Sequence, residues 1–346
     1  MLAYRPVYAS DFDYELPEKL IAQKPASPRE SARLLVLDRA KDTLAHKHIR
    51  NLPDFLNEGD VVVVNVSKVF KARLHGTLED KKKIELFLVR PEGTSWRALG
   101  RPGKKLESGT RIIIAKDFVA TVQSKDEDGS ILVDFGLPKE EVTRLADRYG
   151  EIPLPPYITR KPKKAAEYQT AYARETGSVA APTAGFHLTK ALMAKLKRKG
   201  VTFLEVVLHV GLGTFMPIRT DDLSEHRMHS EWVEIPEKTV EEILKTKVEK
   251  RRVVAIGTTT VRALEGAVQR CGGKLCPWHG DVNLFIQPGF HFQVVDALLT
   301  NFHLPKSTLL VLVSAFAGQE KIRRAYASAI EKKYRFFSYG DAMLIV

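Results

Sequence analysis

Four of the chain's ten histidines, His187, His209, His226 and His229, fall in the stretch from Ser178 to Glu231. Imidazole is the side chain best matched to proton transfer near neutral pH. Small residues stand around them: Ala180, Ala181, Ala184, Gly185, Gly211 and Gly213. Such residues let a ligand approach the backbone closely. A packed core would carry bulky apolar side chains at many of these places, so the stretch reads as the floor of a pocket.

Other spacings narrow the chemistry. Gly211-Leu-Gly213 is a lone GxG with no third glycine and a proline-containing loop after it, which argues against a dinucleotide fingerprint. His226-x-x-His229-x-Glu231 has side chains that suit zinc, yet it lacks the helical array with a general base between its histidines. Cys271-x4-Cys276-x2-His279 supplies only part of a metal site. Gly257-Thr-Thr-Thr-Val-Arg262 places three hydroxyls at a strand-to-helix turn, where a helix N-terminus accepts negative charge. Arg262 could clamp the same anion; capping by Thr258 or Thr259, with Arg262 in a structural ion pair, is the competing reading. Asn301-Phe-His303-Leu-Pro-Lys306 gathers polar groups before an apolar run. Tyr334 to Met343 is aromatic-rich around one acid, Asp341, and suits either core packing or stacking on a purine and a cation.

The elements that must position these residues change character along the chain. Arg33–Asp38 and Asp60–Asn65 read as short strands, the second apolar on both faces as in a covered sheet. From about Lys71 to Gly136, six short strand candidates separated by turn signals predict a small β-barrel or sandwich. Ile152-Pro-Leu-Pro-Pro-Tyr157 is a stiff connector. Thereafter helices over 190–199, 237–249, 259–270, 294–299 and 319–332 alternate with strands over 202–210, 252–257, 283–286, 308–313 and near Met343. That alternation predicts parallel pairing, with ligands beyond the strands' C-terminal ends. The expected fold is α/β: a discontinuous α/β catalytic domain over 1–68 and 152–346, with an inserted all-β, barrel-like domain over 69–151.

Composition sets the outer limits. A chain of 346 residues can bury a sizeable core, and 44% hydrophobic with 28% charged residues is ordinary for a soluble protein. Its start has no apolar leader, and the longest apolar run, Thr308–Ala317, is too short to span a bilayer, so a cytoplasmic location is expected. Two cysteines argue against a disulfide framework and fit a reducing compartment. The formal net charge of +12 favours polyanions, and Lys161-Pro-Lys-Lys164 is the better nucleic-acid candidate among the basic clusters.

Taken together, these strings resemble the S-adenosylmethionine:tRNA ribosyltransferase-isomerase family of queuosine biosynthesis nearly end to end. The resemblance is carried by Asp11-Phe-Asp-Tyr-Glu-Leu-Pro17, Tyr149 to Tyr157, Gly177 to Gly185, Leu208 to Phe215 and Glu225 to Glu231. Ile256 to Glu265, Leu299 to Thr308 and Tyr334 to Met343 continue it. The resemblance implies transfer and isomerisation of the ribosyl part of S-adenosylmethionine onto 7-aminomethyl-7-deazaguanine at the tRNA wobble position. Epoxyqueuosine-tRNA, adenine and methionine would be the products.

No cofactor or metal is expected, because S-adenosylmethionine is itself consumed. The expected partners are that tRNA and S-adenosylmethionine, with no membrane, and the chain is expected to be a monomer. Within this reading His187, His209, His229 and Asp341 are the proton-transfer candidates. Thr183, Gly211, Gly213, Thr259, Arg262, His303 and Lys306 are the substrate-binding ones. A zinc-dependent RNA hydrolase built on His226, His229 and Glu231, and a non-catalytic RNA-binding protein, are the rivals.

Overall fold

The computed structural model describes residues 7–160, 162, 164–211, 218 and 220–346. Gly213, Lys161 and Lys163 therefore lie outside the described residues. The chain divides into two compact units, Met1–Ser67 with Pro156–Glu175 and Ala181–Val346, and Lys68–Pro155 with Thr176–Ala180.

The larger unit carries a nine-stranded sheet. Its strands lie in the order Trp278–Val282, Glu231–Ile235, Thr202–Leu208, Val61–Asn65, Val253–Ile256, Ala297–Asn301, Ala342–Ile345, Arg33–Asp38, Thr43–His48. Val61–Asn65 pairs in parallel with both neighbours, Val63 opposite Leu204 and Val62 opposite Val254. Every residue of that strand is buried, because helices cover both faces of a parallel sheet. The expectation of parallel pairing holds here, between Val253–Ile256 and Ala297–Asn301, and between Arg33–Asp38 and Ala342–Ile345, but not throughout. Ala342–Ile345 runs antiparallel to Ala297–Asn301, and Glu231–Ile235 runs antiparallel to both its neighbours. The strand over 231–235 alternates buried with exposed side chains, that over 43–48 is an edge strand with no fully buried residue, and neither was among the expected strands.

The helix Lys190–Arg198 starts where Thr189 Oγ1 accepts from Leu192 N at 3.0 Å. It seals Leu192 and Leu196 onto Val62, Val64, Ile256 and Leu299, the centre of the core.

Three expected elements need correction. Thr308–Val313 is not a strand; it lies in the helix Thr308–Ala317. Ser307 Oγ accepts from Leu310 N at 3.2 Å, and Gly318, at φ +94°, ends the helix. A helix apolar nearly all round carries no period to distinguish it from a buried strand. Residues 294–299 are not a helix. The backbone N–H groups of Gln293, Val294 and Val295 donate to the buried Glu265 carboxylate at 3.0 Å each, and Ala297–Asn301 then joins the sheet. The strand expected over 283–286 lies earlier, at Trp278–Val282. Cys271 and Cys276 are joined in a disulfide, which corrects the reading of both as thiols.

The smaller unit is a closed six-stranded antiparallel barrel, in the order Ile131–Asp134, Ser95–Arg101, Lys83–Glu92, Arg73–Thr77, Arg111–Ala115, Phe118–Lys125. Closure removes the unpaired edges such short strands would otherwise expose. Leu74, Leu86, Leu88, Ala98, Ile112, Phe118, Ala120 and Val133 fill it. No described helix of either unit is long and apolar enough to cross a membrane.

Candidate active site

His187 ends the short 3-10 helix Thr183–His187 and is 4% exposed. Its Nε2 lies 3.3 Å from Asn301 Nδ2, at the end of the strand Ala297–Asn301. Asn301 Nδ2 also donates to the Phe337 carbonyl at 3.2 Å, while its Oδ1 accepts from Thr183 Oγ1, also at 3.2 Å. The amide is thus oriented with its NH2 toward the imidazole. With Nε2 accepting that N–H, a neutral His187 carries its proton on Nδ1. Burial holds the imidazole neutral, pulling its pKa down to about 4; Asp341 acts in the opposite direction.

The Asp341 carboxylate accepts from the backbone N–H groups of Arg33 and Arg335 at 2.9 and 2.8 Å, and from both guanidinium groups at 3.2 and 3.4 Å. The two contacts from Arg33 tie the C-terminal segment to the strand Arg33–Asp38, and the two from Arg335 brace the segment itself. Against His187, aromatic rings assemble. Phe186 and Tyr339 stack with centroids 6.0 Å apart, Tyr168 meets both edge-on, and the Arg29 guanidinium stands 5.0 Å from the Phe186 centroid. The Tyr339 hydroxyl is buried and has no hydrogen-bond partner among the described residues. Gly185 is small for an internal reason: a Cβ there would stand 2.1 Å from Tyr172 Oη and 2.8 Å from Thr170 Cγ2.

Beside this network, Gly257 at φ +87° turns the strand Val253–Ile256 into the helix Thr258–Arg270. A Cβ on Gly257 would lie 3.5 Å from Ala184 Cβ and 3.6 Å from Thr259 Oγ1, so this helix start abuts the helix bearing His187. Thr259 is 8% exposed, and its hydroxyl has no hydrogen-bond partner among the described residues. Thr260 instead caps inward, donating to the Ile256 carbonyl at 2.7 Å.

One turn on, Arg262 is 3% exposed and pairs through Nη1 with Glu231 Oε2, while its Nε donates to the Leu284 carbonyl at 3.3 Å. Glu231 Oε1 accepts from Gly211 N at 3.1 Å. Arg262 is therefore held in a structural ion pair, and its Nη2 has no hydrogen-bond partner among the described residues. Both Glu231 oxygens are thus engaged, by Arg262 and by the Gly211 N–H. Among the described residues no group of three or more His, Cys, Asp or Glu is placed to hold a metal.

The remaining candidates lie elsewhere. The His209 ring stacks on Trp232 at 5.2 Å. His229 is exposed, and His226 packs edge-on against Phe285. His303 is buried, bonded to Thr300 Oγ1 at 2.9 Å, and burial lowers its pKa to about 3; it faces the interior. Lys306 is exposed and pairs with Asp13 at 2.8 Å. A cleft of about 440 Å3 between Asp11–Glu15 and the helices Thr308–Ala317 and Gln319–Glu331 contains none of the expected residues.

The structure thus joins Thr183 to His187, sets Thr259 beside them, and links Gly211 to Arg262. Asn301, Phe186, Tyr339 and Arg29 were missing from the expected site. Only the polar run ending at Lys306 marked Asn301 in the sequence, and the rings read equally well as core.

The Queuosine biosynthesis protein family model matches residues 9–345. A relative from Thermosipho melanesiensis, named S-adenosylmethionine:tRNA ribosyltransferase-isomerase, is 49% identical over 97% of this chain and 99% of its own. One of the same name from Carboxydothermus hydrogenoformans is also 49% identical over the same shares. The crystal structure of S-adenosylmethionine tRNA ribosyltransferase from Thermotoga maritima superposes with a TM-score of 0.55 at 39% identity, covering 97% of this chain and 100% of that one. By sequence along almost its whole length, this chain belongs to the queuosine biosynthesis protein family.

Proposed function

We propose that the chain moves the ribosyl group of S-adenosylmethionine onto 7-aminomethyl-7-deazaguanine at the wobble position of tRNA and isomerises it. Epoxyqueuosine-tRNA, adenine and methionine are then the products. The observation that carries this reading is the match over residues 9–345 to a family whose relatives bear the name of that activity. It extends to a discontinuous α/β catalytic domain interrupted by the barrel over 69–151, and to a monomer in the cytoplasm.

The chemistry asks for few parts. The sulfonium acidifies the adjacent ribose 5′ protons, so a positioned base can generate an ylide, and adenine leaves more readily with a donor near its ring nitrogens. His187, neutral at pH 7 with its proton on Nδ1, suits the donor role; His209 and His229 are the candidates for the base. Phe186 and Tyr339 offer aromatic faces to adenine or the sulfonium. Asp341 acts by tying Arg33 and Arg335 into the wall behind His187. Thr259 and the N–H groups beginning its helix suit an anion, the methionine carboxylate of S-adenosylmethionine above all, because a buried hydroxyl is out of reach of a tRNA phosphate. Thr183 orients Asn301, Gly211 donates its N–H to the Glu231 that holds Arg262, Gly213 is a further substrate-binding candidate, and Lys306 meets tRNA. His303, bonded to Thr300, supports the segment that leads to Lys306.

S-adenosylmethionine is a substrate here, and no cofactor takes part. Incubation with S-adenosylmethionine and the modified tRNA, with and without chelator, tests the reading. It requires adenine and a tRNA gaining the ribosyl-derived group in equal amounts, with chelator making no difference. Binding of tRNA without adenine release, or release abolished by chelator, contradicts it.

A further inference from the structure

The barrel gathers cations that are far apart in sequence. Lys81 and Lys82 lead into the strand Lys83–Glu92, which Lys83 opens; the 3-10 turn Gly103–Lys105 after Ser95–Arg101 carries Lys104 and Lys105; Arg111 opens the next strand. Strand register brings them to one end: Thr77 lies opposite both Lys83 and Ile113, and Arg101 lies opposite Glu85. All six are exposed.

Lys82 reaches Asp80 at 2.5 Å and Arg111 reaches Glu79 at 3.6 Å, so two carboxylates offset part of the charge. Even so, Lys82 and Lys105 stand close enough that Lys82 is the main cause lowering the Lys105 pKa. Like charges held together on a solvated surface repel one another, and stability alone gives no reason to gather them. A polyanion relieves that repulsion and releases its own counterions on binding. Exposed lysine and arginine side chains of this kind contact phosphates and carry no sequence readout of their own there.

We infer that this end of the barrel is a docking surface for the phosphodiester backbone of RNA, gripping tRNA without reading its sequence. The inference rests on the tRNA reading above, but concerns a surface made wholly within the smaller unit.

The test is tRNA binding by fluorescence anisotropy between about 50 and about 200 mM salt. It compares the wild-type chain, a triple variant Lys82→Gln, Lys83→Gln, Lys105→Gln, and its charge-keeping counterpart with arginine at the same positions. The glutamine variant is expected to bind about 10-fold more weakly at the lower salt, with a log–log salt slope shallower by about 2. The arginine variant should keep both, and the KM for S-adenosylmethionine should not move. A glutamine variant with wild-type affinity and slope overturns the inference, as does weaker binding at an unchanged slope, since the loss is then not electrostatic. A wild-type chain that binds no tRNA overturns the functional reading as well, which separates the two failures.

Discussion

At the scale of residues, the account turns on buried polar groups whose partners are settled. His187, Asn301 and Thr183 form one hydrogen-bonded chain. Replacing Asn301 by Asp puts a charge where an amide donates, so Asn301→Asp should lower turnover at least ~10-fold while raising the His187 pKa. NMR titration of the imidazole checks the shift. A His187 resonance still titrating near pH 4 in the variant counts against the network. Arg262 and Glu231 are both nearly fully buried, so Glu231→Gln leaves a guanidinium uncompensated and should cost about 3–5 kcal/mol of stability. Denaturant unfolding measures this, and a loss below ~1 kcal/mol would mean that water reaches Arg262. Sequence spacing pointed to His187 and to the threonine turn because both are unusual residue types in small-residue surroundings. It left Arg262 open between ligand clamp and ion pair, since Glu231, its partner, lies 31 positions away at the start of a strand.

At the scale of elements, the sheet's central strands and the barrel were legible, because period-2 alternation and fully apolar runs differ from turn chemistry. The helix Thr308–Ala317 was not, as its buried surface runs almost all round. Nor was the strand Ala297–Asn301, whose approach is fixed by Glu265 across 28 positions and more. Those long-range hydrogen bonds leave no mark on local pattern. The 3-10 helix bearing His187 depends on Gly185, since any side chain there collides with Tyr172 and Thr170. Gly185→Ala should therefore destabilise the unit by about 1–3 kcal/mol and slow the reaction together, as overpacking does. Parallel thermal melts and turnover assays decide it. Full activity at wild-type stability would show that the segment moves freely aside.

At the scale of the whole molecule, charge and pH act together. His187 and His303 are neutral in the folded chain, with pKa values near 4 and 3 against 6.5 when unfolded. The unfolded chain therefore binds more protons between those values, and stability is lost as pH falls below about 6.5 toward 4. Melting temperature should drop on acidification through that window, and less steeply in His303→Gln. An unchanged melting temperature from neutrality to pH 4.5 would mean that both rings protonate without unfolding. The net charge of +12 is as compatible with solubility as with a polyanion partner, and it takes the folded barrel to show six cations brought to one end. The measurement that bears most directly on the whole account is single-turnover adenine formation from S-adenosylmethionine in the presence of the modified tRNA. The account predicts formation that depends on tRNA and is at least ~100-fold slower in His187→Ala. Adenine formed equally fast without tRNA, or by His187→Ala at the wild-type rate, would contradict it.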